Sequence, residues 1–181
     1  MIISKIDLRT LLLICVLLLG LAITSCADSI TENKFEYTAR TFEAKIVGTV
    51  DGEEVAVRLQ NRPGAVGEGP AVVLSFEAPG SLRGIVISQR ADGTREVRLG
   101  ELVLHNFHAE GLLEPFLTLL YSGEVTSARR DENRSTVVSV QNGEYDLEYL
   151  FLKGYDYPYS VRGVVCGRET ELFVQSIEFT P

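Results

Sequence analysis

The chain has 181 residues, a formal net charge of −8, 45% hydrophobic residues and three cysteines. Such an acidic chain is a poor candidate for nucleic-acid binding, which depends on clustered Lys and Arg, and we do not expect it to lie flat on an anionic membrane.

Cys15 and Cys26 lie near the N-terminus, so Cys166 has no internal disulfide partner and the folded domain must depend on its core. Cys166 follows two valines in an apolar run and is predicted to be a buried structural residue.

The N-terminal segment has the pattern of an exported protein. Lys5 and Arg9 precede an unbroken apolar run from Leu11 to Ala22, which is short for a bilayer span but typical of a signal-peptide core. The next residues, Ile23-Thr24-Ser25-Cys26, resemble the lipobox of bacterial lipoproteins, in which the cysteine is acylated and becomes the mature N-terminus. An ordinary cleaved signal with a chance cysteine, or an uncleaved anchor, is the alternative.

The lipobox resemblance implies three segments and a location. Residues 1–25 would be removed, residues 26–34 would form a lipidated tether, and residues 35–181 would form one domain. Cys26 would carry a diacylglyceryl group and further acyl chains such as palmitate, which together suffice for stable anchoring. We therefore expect an extracytoplasmic protein held on the cell membrane by lipid.

The mature chain alternates apolar and polar residues almost throughout, which predicts about nine or ten half-buried antiparallel strands. The alternating runs are, in order, 42–46, 55–59, 72–76, 82–89, 95–99, 102–104, 124–129, 135–140, 145–152, 161–166 and 171–179. Three pairs predict hairpin turns: Asp51-Gly52, Asp92-Gly93 and Asn142-Gly143. The first six strands are expected to pair with their sequence neighbours as a meander.

A single segment has helical spacing. Its apolar residues recur at intervals of three and four, at Leu113, Phe116, Leu117 and Leu120. Pro115 early and Gly123 late predict one helix from about Glu110 to Ser122. A sheet of this many strands curls, and the helix needs an apolar surface to cover. We therefore predict a mainly β fold: a single curved antiparallel sheet forming an unclosed half-barrel, with one helix on its concave face.

This order of elements resembles the LolA/LolB lipoprotein-carrier fold and the LolA-like lipoproteins of Gram-positive bacteria, including a spore-germination lipoprotein. The likeness is carried by the strand Phe42–Ile46, Asp51-Gly52, the segment Glu77–Ile85, the pair within Val97–Leu104, and the strands of Tyr145–Cys166. The resemblance implies an unclosed antiparallel barrel whose hollow is lined by helix.

No pattern in the sequence predicts an enzyme. His105 and His108 are spaced i, i+3, and with Glu110 and Glu114 they would suit a metal only if that stretch were helical; the alternative is that a strand ends at His105. Neither a His-Glu-x-x-His string nor a Gly-x-Ser-x-Gly elbow is present. We expect no catalytic residue, metal or cofactor.

Two groups of residues are candidates for binding. Phe116 and Leu120 would face an apolar cleft between helix and sheet, and Tyr155, Tyr157 and Tyr159 would form a contact surface at the cleft mouth or for a protein partner. The sequence therefore predicts a non-catalytic membrane-anchored module that binds an apolar, lipid-like ligand. The alternative is an interaction lipoprotein that docks an envelope or spore-cortex enzyme, with the cleft filled by its own side chains.

Overall fold

A computed structural model describes residues 34–64, 69–106, 113–120, 124–131 and 133–180. The predicted signal peptide, Cys26 and all of the tether except Lys34 lie outside the described residues, as does His108. The strands are β1 Phe42–Val50, β2 Glu53–Asn61, β3 Val72–Ala78, β4 Ile85–Gln89, β5 Arg95–Leu99, β6 Leu102–His105, β7 Glu124–Arg130, β8 Thr136–Asn142, β9 Tyr145–Phe151, β10 Ser160–Val165 and β11 Arg168–Phe179. The helical elements are a 3-10 turn at Glu36–Ala39, the helix α1 at Glu114–Leu117 and a second 3-10 turn at Thr118–Leu120.

The described strands form one antiparallel sheet in the order β6-β5-β4-β3-β2-β1-β11-β10-β9-β8-β7. Strands β1 to β6 form the predicted meander, and β7 to β11 form a second one. The first and last strands join the two halves, with Phe42 opposite Phe179 and Val50 opposite Thr170. Since β6 and β7 lie at opposite edges, the sheet does not close, and the predicted mainly β half-barrel with a single helix is confirmed.

One face of the sheet carries the core because the alternation continues in register from strand to strand. In β1, Phe42, Ala44 and Ile46 are buried, while Glu43 is half-buried and Lys45 is exposed. Register pairs extend this inner face from strand to strand, for example from Ala44 through Leu59 and Leu74 to Ile87. The inner face is therefore the surface on which α1 packs, and it becomes the concave side of the half-barrel.

The outer face carries charge instead of apolar side chains. Arg58 contacts Glu43 at 3.1 Å and Glu77 at 3.2 Å across three neighbouring strands. On the other half, Glu148 accepts from Arg162 at 2.6 Å and lies 3.3 Å from Arg129. Exposed pairs of this kind contribute only about 0–1 kcal/mol each, so the outer face is a solvated surface and not a second core.

The hairpin predictions are confirmed, one of them with a shifted turn. Asp51 and Gly52 have positive φ angles of 52° and 79°, as a tight two-residue turn between right-twisted strands requires. At the third hairpin Asn142 pairs with Tyr145, so the turn residues are Gly143 and Glu144 and not Asn142-Gly143. Asn142 therefore extends β8 by one residue.

The structure describes only part of the predicted helix. Helix α1, preceded by its N-cap Leu113, and its 3-10 continuation span 114–120, within the predicted range of 110 to 122, and residues 107–112 and 121–123 lie outside the described ranges. Pro115 stands in the first turn, as expected, where its missing N–H costs nothing.

The prediction of a buried Cys166 is wrong. Cys166 and Gly167 form the β10–β11 turn with φ angles of 50° and 78°, and Cys166 is exposed. Its backbone N–H donates to the Glu144 carbonyl at 2.9 Å, which ties this turn to the neighbouring hairpin. The apolar run ends one residue earlier, at the fully buried Val165, because the chain must reverse direction there.

Candidate functional site

An apolar cleft of about 350 Å³ opens between α1 and one end of the sheet. It is lined by Val50, Asp51, Glu53, Val55, Phe76, Pro79, Ser81, Leu82, Phe116 and Arg168. The apolar lining comes from β1, β2, β3, the β3–β4 turn and α1, so five elements of the half-barrel meet there. Ligand sites in proteins are commonly concave, mostly apolar and about 300–1,000 Å³ in volume.

Phe116 forms the inner wall of the cleft. Its ring meets the Phe76 ring edge to face, with centroids 5.5 Å apart, and its side chain is 2% exposed. Edge-to-face aromatic pairs contribute about 0.5–1.5 kcal/mol beyond area burial. Phe116 therefore both completes the core and forms part of the cleft wall.

Two buried tyrosines hold the helical segment on the sheet. The Tyr149 hydroxyl of β9 donates to the Thr118 carbonyl oxygen at 2.8 Å, and the Tyr37 hydroxyl donates to the Leu119 carbonyl oxygen. These carbonyls belong to the 3-10 turn that follows α1. The N-terminal turn and strand β9 thus fix the position of Phe116 relative to the sheet.

The rim of the cleft is polar. Arg168 lies with its Nε 3.8 Å from Asp51 Oδ2, and Asp51 Oδ1 accepts from the Glu169 backbone N–H at 3.0 Å. Glu53 and Ser81 complete the exposed rim. An apolar floor with a charged rim suits a ligand that has an apolar body and a polar end.

The structure separates the predicted binding residues into two places. Phe116 lines the cleft, while Leu120 is half-buried against the core and is not a lining residue of the cleft. Tyr155, Tyr157 and Tyr159 lie in the β9–β10 connection, residues 152–159, which we call the tyrosine loop.

The outer part of the tyrosine loop, with Tyr155 and Tyr157, lies at the opposite end of the sheet from the cleft, while the Tyr159 carbonyl accepts from the Val174 N–H near the middle of β11. The ring of Tyr157 is 6.3 Å from that of Phe179, which pairs with Phe42 at the start of β1, whereas the cleft includes Val50 at its end. Phe42 and Val50 are eight residue steps apart, so these ends are separated by about 26 Å. The tyrosines therefore do not form the mouth of this cleft.

Several cleft residues were not singled out by sequence reasoning. Leu82, Pro79 and Arg168 come from two different turns, and no local pattern links them. Phe76 could have been predicted from the sequence, because its place in the alternation of β3 puts it on the buried face. Tyr37 could not, since the short turn at Glu36–Ala39 has no periodic pattern of apolar residues.

A larger depression of about 690 Å³ lies beside the cysteine turn. It is lined by Gln141, Asn142, Gly143, Glu144, Tyr145, Asp146, Val164, Cys166 and Gly167. All of these except the half-buried Tyr145 are exposed hairpin residues, so the depression does not reach the core. Burial raises the pKa of Tyr145, with smaller contributions from Cys166 and Glu144. The cleft at Phe116 is the better candidate because it has an apolar interior.

The possible metal site at His105 and His108 can be examined only at His105, because His108 lies outside the described residues. His105 ends β6, and its Nδ1 lies 3.3 Å from Glu96 Oε2 of the paired strand. Within the described ranges, no group of three or more His, Cys, Asp or Glu side chains is placed to hold a metal ion.

Burial raises the pKa of Tyr37 well above its usual value, with a smaller contribution from Tyr149. The folded protein then holds this proton more tightly than the unfolded chain, so the stabilisation is complete below about pH 10 and falls as the pH rises further. We expect Tyr37→Phe to lower the free energy of unfolding by about 1–3 kcal/mol near neutral pH, because the Leu119 carbonyl loses its donor.

The pH dependence of the free energy of unfolding distinguishes loss of the Tyr37 hydroxyl from a general loss of packing. Above pH 10 the wild-type free energy of unfolding should fall more steeply than that of Tyr37→Phe, by up to about 1.4 kcal/mol per pH unit. Urea unfolding at pH 8 and at pH 11 measures both slopes. Equal slopes in the two proteins would contradict the assignment.

Comparisons with known proteins support the architecture. The chain is similar to a solved structure described as an uncharacterized conserved protein from Thermus thermophilus, with a TM-score of 0.56, 16% identity, and coverage of 84% of this chain and 86% of that one. At this identity the likeness concerns the fold alone. No protein-family model and no curated protein matches the sequence. Among the helices that the structure describes, none has the length and apolar character needed to cross a membrane.

Proposed function

We propose that this protein is a non-catalytic, membrane-anchored lipoprotein that binds an apolar or lipid-like ligand in the cleft beside Phe116. The observation that carries the proposal is the cleft itself, which has an apolar floor, a polar rim and one wall formed by the helical segment. The N-terminal sequence supports the location, since Cys26 follows a signal-peptide pattern and a lipobox-like string. The order of elements that resembles the lipoprotein-carrier fold supports the same class of ligand.

The volume of the cleft limits the ligand. If each non-hydrogen atom takes about 30 Å³, the volume of one water in the liquid, about 350 Å³ holds roughly a dozen atoms. This is the size of one medium-length alkyl chain and not of a whole two-chain lipid. We therefore propose that one acyl chain, or an apolar group of similar size, enters between Phe116 and Leu82 while its polar end stays at the rim.

The proposal is tested by placing a charge in the cleft. Leu82 is half-buried and lines the cleft, so Leu82→Arg should weaken binding of 1-aminonaphthalene, a neutral apolar fluorescent probe that fits the volume of the cleft, by about tenfold or more. Leu102→Arg is the matched control, because Leu102 is 59% exposed at the sheet edge and is not a lining residue of the cleft. Fluorescence titration of the purified protein measures both affinities.

Equal affinities in wild type and Leu82→Arg would contradict the cleft as the binding site. Native mass spectrometry of protein purified without detergent gives an independent readout. A small apolar species should accompany the wild type and be absent from Leu82→Arg, while Leu102→Arg should retain it.

The exposed edge of the sheet supports the alternative function. The β5–β6 hairpin presents Leu99, Leu102 and Leu104 as exposed side chains, and β6 is an edge strand of the described sheet. Edge strands can pair with a strand of another protein. If docking of an envelope protein is the function, Leu102→Arg should abolish recovery of that partner and Leu82→Arg should not, which is the reverse of the result expected for the cleft.

A further inference from the structure

We propose that the tyrosine loop, residues 152–159, rests on the membrane surface, so that the cleft opens away from the bilayer. This inference depends on the lipid anchor of the proposed function but not on which ligand the cleft holds. It concerns the orientation of the domain, and it assigns the lipid surface as the partner that the tyrosine loop contacts.

The first argument is the place where the described chain begins. Lys34 Nζ lies 3.4 Å from the Tyr155 carbonyl oxygen and 5.2 Å from the centre of the Phe151 ring. The Phe35 ring packs edge to face on Phe151 with centroids 5.6 Å apart. The segment that leads back to Cys26 therefore leaves the domain beside the tyrosine loop.

The second argument is the length of the arm. Lys34 is eight residues after Cys26, and a fully extended chain of that length reaches at most about 28 Å. The opposite end of the sheet is about 26 Å beyond the start of β1. An acylated Cys26 thus keeps the tyrosine loop near the bilayer, and the cleft is the more distant end.

The third argument is the chemistry of the tyrosine loop. Tyr155 is 48% exposed, and tyrosine is enriched where proteins meet the membrane–water interface. Its ring is held in place by the ring of Tyr157, with the two centroids 5.3 Å apart. An exposed aromatic side chain that is fixed in this way suits contact with lipid headgroups.

Charge distinguishes the two ends of the domain. Segments 34–40 and 152–159 together carry three basic and two acidic side chains, although the whole chain has a net charge of −8. The turns at the cleft end carry mainly exposed acids, among them Asp51, Glu53, Glu54, Glu101, Glu144 and Glu169. Anionic lipid would attract the first end slightly and repel the second.

Tryptophan fluorescence tests this orientation, since the chain contains no tryptophan. The lipidated protein, carrying Tyr155→Trp, is reconstituted in vesicles of phosphatidylcholine with a minority of phosphatidylglycerol. Lipids brominated near the headgroup should quench roughly half or more of its emission. Tyr157→Trp should behave in the same way, and it serves as a second variant if the first is poorly folded.

The matched control is Val164→Trp, because Val164 is 41% exposed and lies in β10 near the cleft end. Its emission should be nearly unaffected by the same lipids. Equal quenching of Tyr155→Trp and Val164→Trp in a lipidated protein would overturn the orientation and leave the proposed function standing. A protein whose intact mass shows no acyl chains on Cys26 would instead overturn the anchored location and, with it, this inference.

Discussion

Gly48→Ala should lower the free energy of unfolding by about 3 kcal/mol, a large effect for a single methyl group. A Cβ at Gly48 would lie 1.9 Å from the Glu171 carbonyl oxygen and 2.9 Å from the Leu172 Cα. Both contacts are backbone atoms of β11, the strand that pairs with β1, so relief requires the two strands to separate. Urea unfolding of wild type and variant measures the loss.

The position of Gly48 makes this substitution a test of the topology. The pairing of β1 with β11 joins the two halves of the sheet, and the cleft draws Val50 from one side of that seam and Arg168 from the other. Gly143→Ala is the matched control, because a Cβ there meets nothing within 4 Å, and it should change stability by less than about 0.5 kcal/mol. A Gly48→Ala protein as stable as Gly143→Ala would contradict the pairing of the first and last strands.

Most of the local structure could be predicted because it depends on residues close together in sequence. Period-two alternation indicated the strands, and Asp51-Gly52 located a hairpin whose positive φ angles match the turn type. Each of the eleven alternating runs overlaps one of the eleven described strands, so only the estimate of nine or ten strands was low. The pairing of β1 with β11 has no local signal, since a strand pattern does not specify a distant partner.

The candidate site was predicted only in part, because only some of its residues belong to a local sequence pattern. Phe116 was found because helical spacing put it on the face that must be buried. Leu82 and Arg168 were missed because they reach the cleft from turns that lie far apart in sequence. The tyrosines were predicted to form either a cleft mouth or a partner surface, and only the full strand order shows that their loop lies at the other end of the sheet.

Phe116→Ala should lower the free energy of unfolding by about 3–5 kcal/mol, the range for truncating a buried phenylalanine. The ring is 2% exposed and packs edge to face on Phe76, so its removal forfeits both buried area and an aromatic pair. Phe116→Leu is the control, since it keeps much of the volume and should cost about 1.5 kcal/mol or less. Thermal or urea unfolding of the three proteins gives these differences.

The same variant connects the core to the proposed ligand. Because Phe116 is also a wall of the cleft, its truncation should enlarge the apolar space, and the variant should regain stability when an apolar probe fills it. A ligand at about 100 times its dissociation constant stabilises the folded state by about 2.7 kcal/mol. We expect 1-aminonaphthalene to raise the melting temperature of Phe116→Ala at least as much as that of wild type, and to have little effect on Leu82→Arg. Equal stabilisation of wild type, Phe116→Ala and Leu82→Arg would show that the probe binds elsewhere, because substitutions of Phe116 and Leu82 should change the binding only of a ligand in the cleft.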